Sequence, residues 1–89
     1  MNLTQPQRSA LQRLRELTAK QVASIEANID ANLALVTEVN GGVRPTASRW
    51  VSFTAIDRIM RVMTLRVLVR VGAVEERSTD GFGREYRVK

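Results

Sequence analysis

The chain has 89 residues, with 14 Lys and Arg against 9 Asp and Glu, a formal net charge of +5, and neither Cys nor His. Its length fits one domain, 1–89, with one modest core, and the missing side chains exclude disulfides, thiol nucleophiles, imidazole acid–base chemistry and Cys/His zinc sites. Every basic residue except Lys20 and Lys89 is Arg, whose planar guanidinium grips phosphates and guanine edges at two points; either this balance marks a polyanionic partner or the Arg excess reflects GC-rich coding.

No apolar run approaches the roughly 20 residues that span a bilayer, and no basic-then-apolar leader opens the chain. We therefore expect a soluble, cytoplasmic protein with no membrane partner. Thr4-Gln5-Pro6-Gln7 sets a hydroxyl three residues before a Gln with Pro in the first turn, which is a capping box. From it Leu11, Leu14, Thr18, Val22, Ile25, Ile29, Leu33 and Val36 succeed one another at steps of three or four, and no Gly or Pro intervenes before Gly41. This predicts a helical region over 5–39, either one long helix or two collinear ones meeting near Thr18 to Ala23. The drift from a seven-residue repeat, with Asn28 and Asn32 near the seam, argues against a conventional parallel coiled coil.

Asn40-Gly41-Gly42 closes that region. Residues 40–53 read as a connection, with at most a short helical turn near Thr46 to Trp50. Thr54 with Asp57 is a second capping signal, predicting a helix over 54–71 with Ile56, Met60, Met63, Val67 and Val71 on one face. Asp57, Arg58, Arg61 and Thr64 fall on the other. The alternation in Leu65 to Val71 also suits a strand. Over 73–88 a β-hairpin turns at Asp80-Gly81, and Tyr86 and Val88 alternate with Glu85, Arg87 and Lys89.

The run Leu68, Gly72, Ala73, Val74, Glu75, with Tyr86 and Val88 on the return strand, resembles the end of the recognition helix and the wing of winged helix-turn-helix DNA-binding domains. The resemblance implies a mainly α fold with a small C-terminal β-hairpin and a long N-terminal helical region. It favours helix over strand at Leu65 to Val71, and it makes 54–71 the recognition helix, with a full helix standing before it. That preceding helix would be Gln21 to Val39 or the short turn after Pro45.

On that reading Arg58 and Arg61, with Ser52, Thr54 and Thr64, would face a DNA major groove. The alternative is a solvated helix face carrying an Asp57–Arg61 pair. Arg77, Arg84, Arg87 and Lys89 on the hairpin suit phosphates or the minor groove. Glu75, Glu76 and Glu85 equally suit plain cross-strand charge pairing. Arg44 and Arg49 flank the start of the helix and could hold phosphates, fixing register. Trp50 and Phe53 would close the core or else stack on bases, and Met60 and Met63 would fill the core.

Nothing suggests an enzyme or a cofactor: no carboxylate pair, no nucleophile with its base, and no phosphate loop, since Gly81-Phe82-Gly83 is too short. The expected function is sequence-specific double-stranded DNA binding, as a small transcriptional regulator of bacterial, archaeal or phage type. A homodimer formed through the N-terminal helical region, including Leu11, Leu14 and Leu17, would suit a palindromic site. The alternatives are a winged-helix adaptor docking a protein through the long helix, and an architectural DNA binder without sequence preference.

Overall fold

A computed structural model describes residues 2–81 and 83–89. The elements run α1 (Gln5–Ala31), α2 (Leu33–Val39), β1 (Val51–Ser52), α3 (Phe53–Ile56), α4 (Val62–Arg70), β2 (Val74–Ser78) and β3 (Arg84–Val88). The chain is mainly helical, with a small antiparallel sheet in its C-terminal part.

The capping box forms as read. Thr4 Oγ1 accepts from the Gln7 amide at 3.3 Å, and Gln7 Oε1 accepts from the Thr4 amide at 3.0 Å. The helical region is two helices, but they meet at Asn32 rather than near Thr18 to Ala23. Thr18 lies inside α1, its buried hydroxyl satisfied by donating to Leu14 O at 2.8 Å. Asn32 leaves helical geometry (φ −125°, ψ 29°) while its Nδ2 donates to Asn28 O at 3.1 Å, an Asn side chain competing for the helix's own acceptors. Gly41 (φ 72°) then ends α2, with Gly42 N–H donating to Thr37 O and Gly41 N–H to Glu38 O, the double closure that a left-handed residue permits.

From Val43 to Trp50 the chain returns alongside α1. Arg44 reaches Asp30 at 2.6 Å and Glu26 at 2.7 Å, and Gln21 Nε2 donates to Trp50 O at 2.8 Å. The expected helical turn at Thr46 to Trp50 is absent. Anchors at both ends, Arg44 on the two acids and Trp50 O on Gln21, hold the strip extended.

The predicted helix over 54–71 is broken into α3 and α4 by residues 57–61. Ser52, not Thr54, caps α3, its Oγ accepting from Ala55 N–H at 3.4 Å. Arg61 is extended (φ −75°, ψ 148°) ahead of α4. The core explains the break. Ile56, Met60, Leu65 and Leu68 are all buried, and the five-residue step from Met60 to Leu65 cannot lie on one helical stripe. The cleaner stripe read from sequence would instead have buried Met63 and Val71, which are 68% and 36% exposed. The helix before the longer one is therefore α3, four residues long, and neither of the two candidates named from sequence.

The hairpin gains a third strand. β1 pairs with β3 (Val51 opposite Tyr86), giving the order β1-β3-β2. Phe82 lies outside the described residues. The inner face supplies Val51, Val74 and Tyr86 to a core completed by Leu11 and Leu14 of α1, Ile56, Leu65 and Leu68. Gly72 (φ 82°) makes the turn from α4 into β2, with Ala73 N–H donating to Leu68 O and Gly72 N–H to Val69 O.

Leu11 and Leu14, expected from sequence at a dimer contact, are thus covered by their own domain, with Leu17 packed partly against it. Beyond them α1 and α2 form an arm in a molecule 46 × 26 × 23 Å across. On this arm Leu35 is 63% and Val39 80% exposed. No helix among the described residues is long and apolar enough to cross a membrane.

Candidate nucleic-acid interface

Helix α4 has two faces of different chemistry. Leu65 and Leu68 point into the core, while Met63, Arg66 and Arg70 are exposed at steps of three and four, so they share one stripe. Among the described residues neither Arg66 nor Arg70 forms an ion pair. No side chain caps the start of α4 and its first turn holds no acid, so free amides and the positive end of the helix dipole add to the local charge.

A cleft lies on either side of this stripe. One, of about 550 Å³, is lined by Arg13 of α1 together with Asp57, Arg58, Arg61 and Thr64. The other, of about 610 Å³, runs between α4 and the hairpin and is lined by Ser52, Thr54, Arg66, Glu76, Arg84 and Tyr86 among others. In the second cleft burial, and then the hydrogen-bonding Glu76 carboxylate, push the Tyr86 hydroxyl up to about 12. It is neutral at ordinary pH, as an unshifted phenol would also be, and the shift extends that range into strongly basic solution.

The hairpin arginines are differently placed. Arg77 pairs with Glu85 at 2.8 Å, Arg84 with Glu76 at 2.9 Å and Arg87 with Glu75 at 3.0 Å. Two of these pairs sit directly across the strands, Glu75 opposite Arg87 and Arg77 opposite Glu85, so cross-strand pairing is what their side chains are engaged in. Both Arg77 and Arg87 also cover Trp50, their guanidinium carbons 4.2 and 4.6 Å from its ring centroid. Trp50 is consequently a half-buried plate on the outer face of the sheet. Phe53 takes the core-closing role, its ring 6.4 Å from that of Tyr86.

Of the other residues singled out from sequence, Arg44 lies on the arm. Asp30, and then Glu26, raises its guanidinium above the usual range. Arg49 lines a hollow of about 220 Å³ with Arg15 and Arg87, and Lys89 is exposed at the end of the hairpin. Arg58, Arg61 and Thr64 do come together, though in the α3–α4 connection and the first turn of α4 rather than along one helix face. No ion pair joins Asp57 to Arg61 among the described residues.

Sequence reading passed over Arg13, Arg66 and Arg70 as site residues. The last two were legible as an i, i+4 pair in an otherwise apolar stretch. Arg13 was not, because only the packing of α1 beside residues 57–61 brings it there. No protein-family model matches this chain, and no curated protein or solved structure matches it either.

Proposed function

We propose that the chain is a sequence-specific double-stranded DNA-binding protein of the winged helix-turn-helix type, acting as a small regulator by occupying its site. The observation that carries this reading is the unpaired arginine stripe of α4, flanked on both sides by arginine-lined clefts. The element order from α1 onward is compatible with it once the arm helix α2 is set aside as an addition: α1 and α2, a short strand, two helices joined by a tight connection, and two strands, with the first strand pairing to the last. A helix fits the major groove, where Arg66 and Arg70 would meet guanine O6 and N7 while Met63 offers apolar contact. Arg13, Arg58 and Arg61 would hold the phosphates of a flanking strand, fixing register without reading sequence.

Fluorescence anisotropy against random duplex and a selected-site pool, at two salt concentrations, tests this. With about five phosphates neutralised, log affinity falls against log salt with a slope of roughly −4 to −5. Arg58→Ala with Arg61→Ala should weaken both pools alike and flatten that slope by about 2. Absence of binding at low salt would end the DNA reading. A second reading, a protein-docking adaptor, is favoured by the exposed Leu35 and Val39 of the arm. It predicts no DNA affinity in that assay.

A further inference from the structure

The arm is anomalous in charge as well as in exposure. A quarter of the chain is charged, yet from Gln21 to Val43 the only charged residues are Glu26, Asp30 and Glu38. The first two are held by Arg44 on the side where the strip 43–50 returns. Beside them, on the side of α1 away from the buried Ile29, Ala23, Ala27 and Ala31 are all exposed, at four-residue steps that form one ridge. Farther out the exposed side chains become large, with Leu35 and Val39, and Leu33 is 43% exposed. Small and large apolar positions are thus segregated along one arm.

We propose that this face is the docking surface for a second copy of the chain, with the two arms antiparallel about a two-fold axis near the level of Ile29. Counted from that axis, Leu35 of one copy falls opposite Ala23 of the other, Ala31 opposite Ala27, and Glu38 opposite Lys20. The large side chains of each copy meet the flat alanine surface of the other, and each end closes with an opposite-charge pair. A two-fold contact requires this self-complementarity.

Nucleic acid and anionic membrane are poor occupants, since the face sets one acid, Glu38, against one base, Lys20, and has no cluster of cations to bind a polyanion. None of the α4 arginines takes part, so this dimer is independent of the DNA reading. Its contact lies on the distal arm, away from Leu11 and Leu14, which are buried.

Sedimentation equilibrium from micromolar to high-micromolar concentration gives the first test, with a reversible dimer expected. Ala27→Arg should give a monomer of unchanged circular dichroism and melting, because Ala27 is exposed in the single chain. Lys20→Glu should weaken the dimer roughly tenfold, and adding Glu38→Lys should restore it to within about threefold. The chain has no Cys, so mixing Ala23→Cys and Leu35→Cys chains reports orientation. Antiparallel arms give mainly the mixed disulfide, whereas parallel arms give each variant linked to itself. A natively folded monomer at every concentration, a dimer indifferent to Ala27→Arg, or self-linked disulfides would each overturn the proposal. If the monomer still bound DNA, the regulator reading would survive without this dimer.

Discussion

The hairpin and α4 carry similar arginine content and opposite electrostatic situations. On the hairpin Arg77, Arg84 and Arg87 each have a Glu on the neighbouring strand within 3.0 Å. On α4 Arg66 and Arg70 have none among the described residues, and the helix's apolar residues are divided between core and solvent. A guanidinium already satisfied by a carboxylate must give up that partner to bind a phosphate, whereas an unpaired one sheds only water and counterions. On the DNA-binding proposal, phosphate contact should track pairing rather than arginine count, and the two regions should respond oppositely to the same substitution.

The contrast is most exposed to challenge from inside the core. Leu68 is fully buried, so Leu68→Ala should cost about 2–5 kcal/mol of stability, read as a shifted denaturant midpoint. Any loss of DNA binding would then accompany loss of fold. If α4 instead reads DNA with its outward stripe, Arg66→Ala with Arg70→Ala should lower affinity for a selected site by about 2 kcal/mol or more with the melting temperature unchanged. Arg77→Ala with Arg87→Ala should do the reverse, lowering stability while nearly sparing affinity. Equal effects of the two pairs on affinity would dissolve the distinction.

Tyr86 probes the same contrast through pH, because it stands where the two regions meet. Its hydroxyl is pushed up to about 12 in the fold, from 10.0. Unfolding returns it to the lower value, so above pH 10 the unfolded chain gives up a proton that the folded chain keeps. The associated stability is complete below about pH 10 and is lost as pH rises towards 12. Denaturant midpoints measured over that interval should fall more steeply for the wild type than for Tyr86→Phe. Identical slopes would mean that the phenol is not held neutral by the core and Glu76.

How much of this could be read from the residues depended on how local the signal was. Thr4 with Gln7, and Gly72 after Leu68, are short-range patterns and form as read. Helical periodicity alone places Met63 on the inward stripe, but the core takes Leu65 and Leu68 instead and leaves Met63 in solvent. The same choice displaced Arg58 and Arg61 from a helix face into a connection. The third strand hung on two residues, Val51 and Ser52, too few to carry a periodic signal, and became visible only through its pairing with Tyr86 and Glu85. The ion pairs of the hairpin were legible as an alternative, but a sequence cannot say whether a Glu engages its neighbour or water.

The smallest effect bears most directly on that last point. Arg77 and Glu85 lie directly opposite and 2.8 Å apart, with side chains 48% and 26% exposed. Water screens such a pair, and a double-mutant cycle of Arg77→Ala and Glu85→Ala should give a coupling of only about 0.2–1 kcal/mol. Arg77→Ala alone should cost somewhat more than the coupling, because it also uncovers Trp50, and stacking of a guanidinium on an indole adds roughly 0.5–1 kcal/mol. Trp50 is the chain's one tryptophan, so its emission reports that loss of cover directly and should shift on Arg77→Ala but not on Glu85→Ala. If duplex DNA alone produced the same shift, Arg77 would be leaving the ring for a phosphate. The hairpin would then hold its arginines ready for DNA instead of committing them within the fold, and the contrast with α4 would become one of degree.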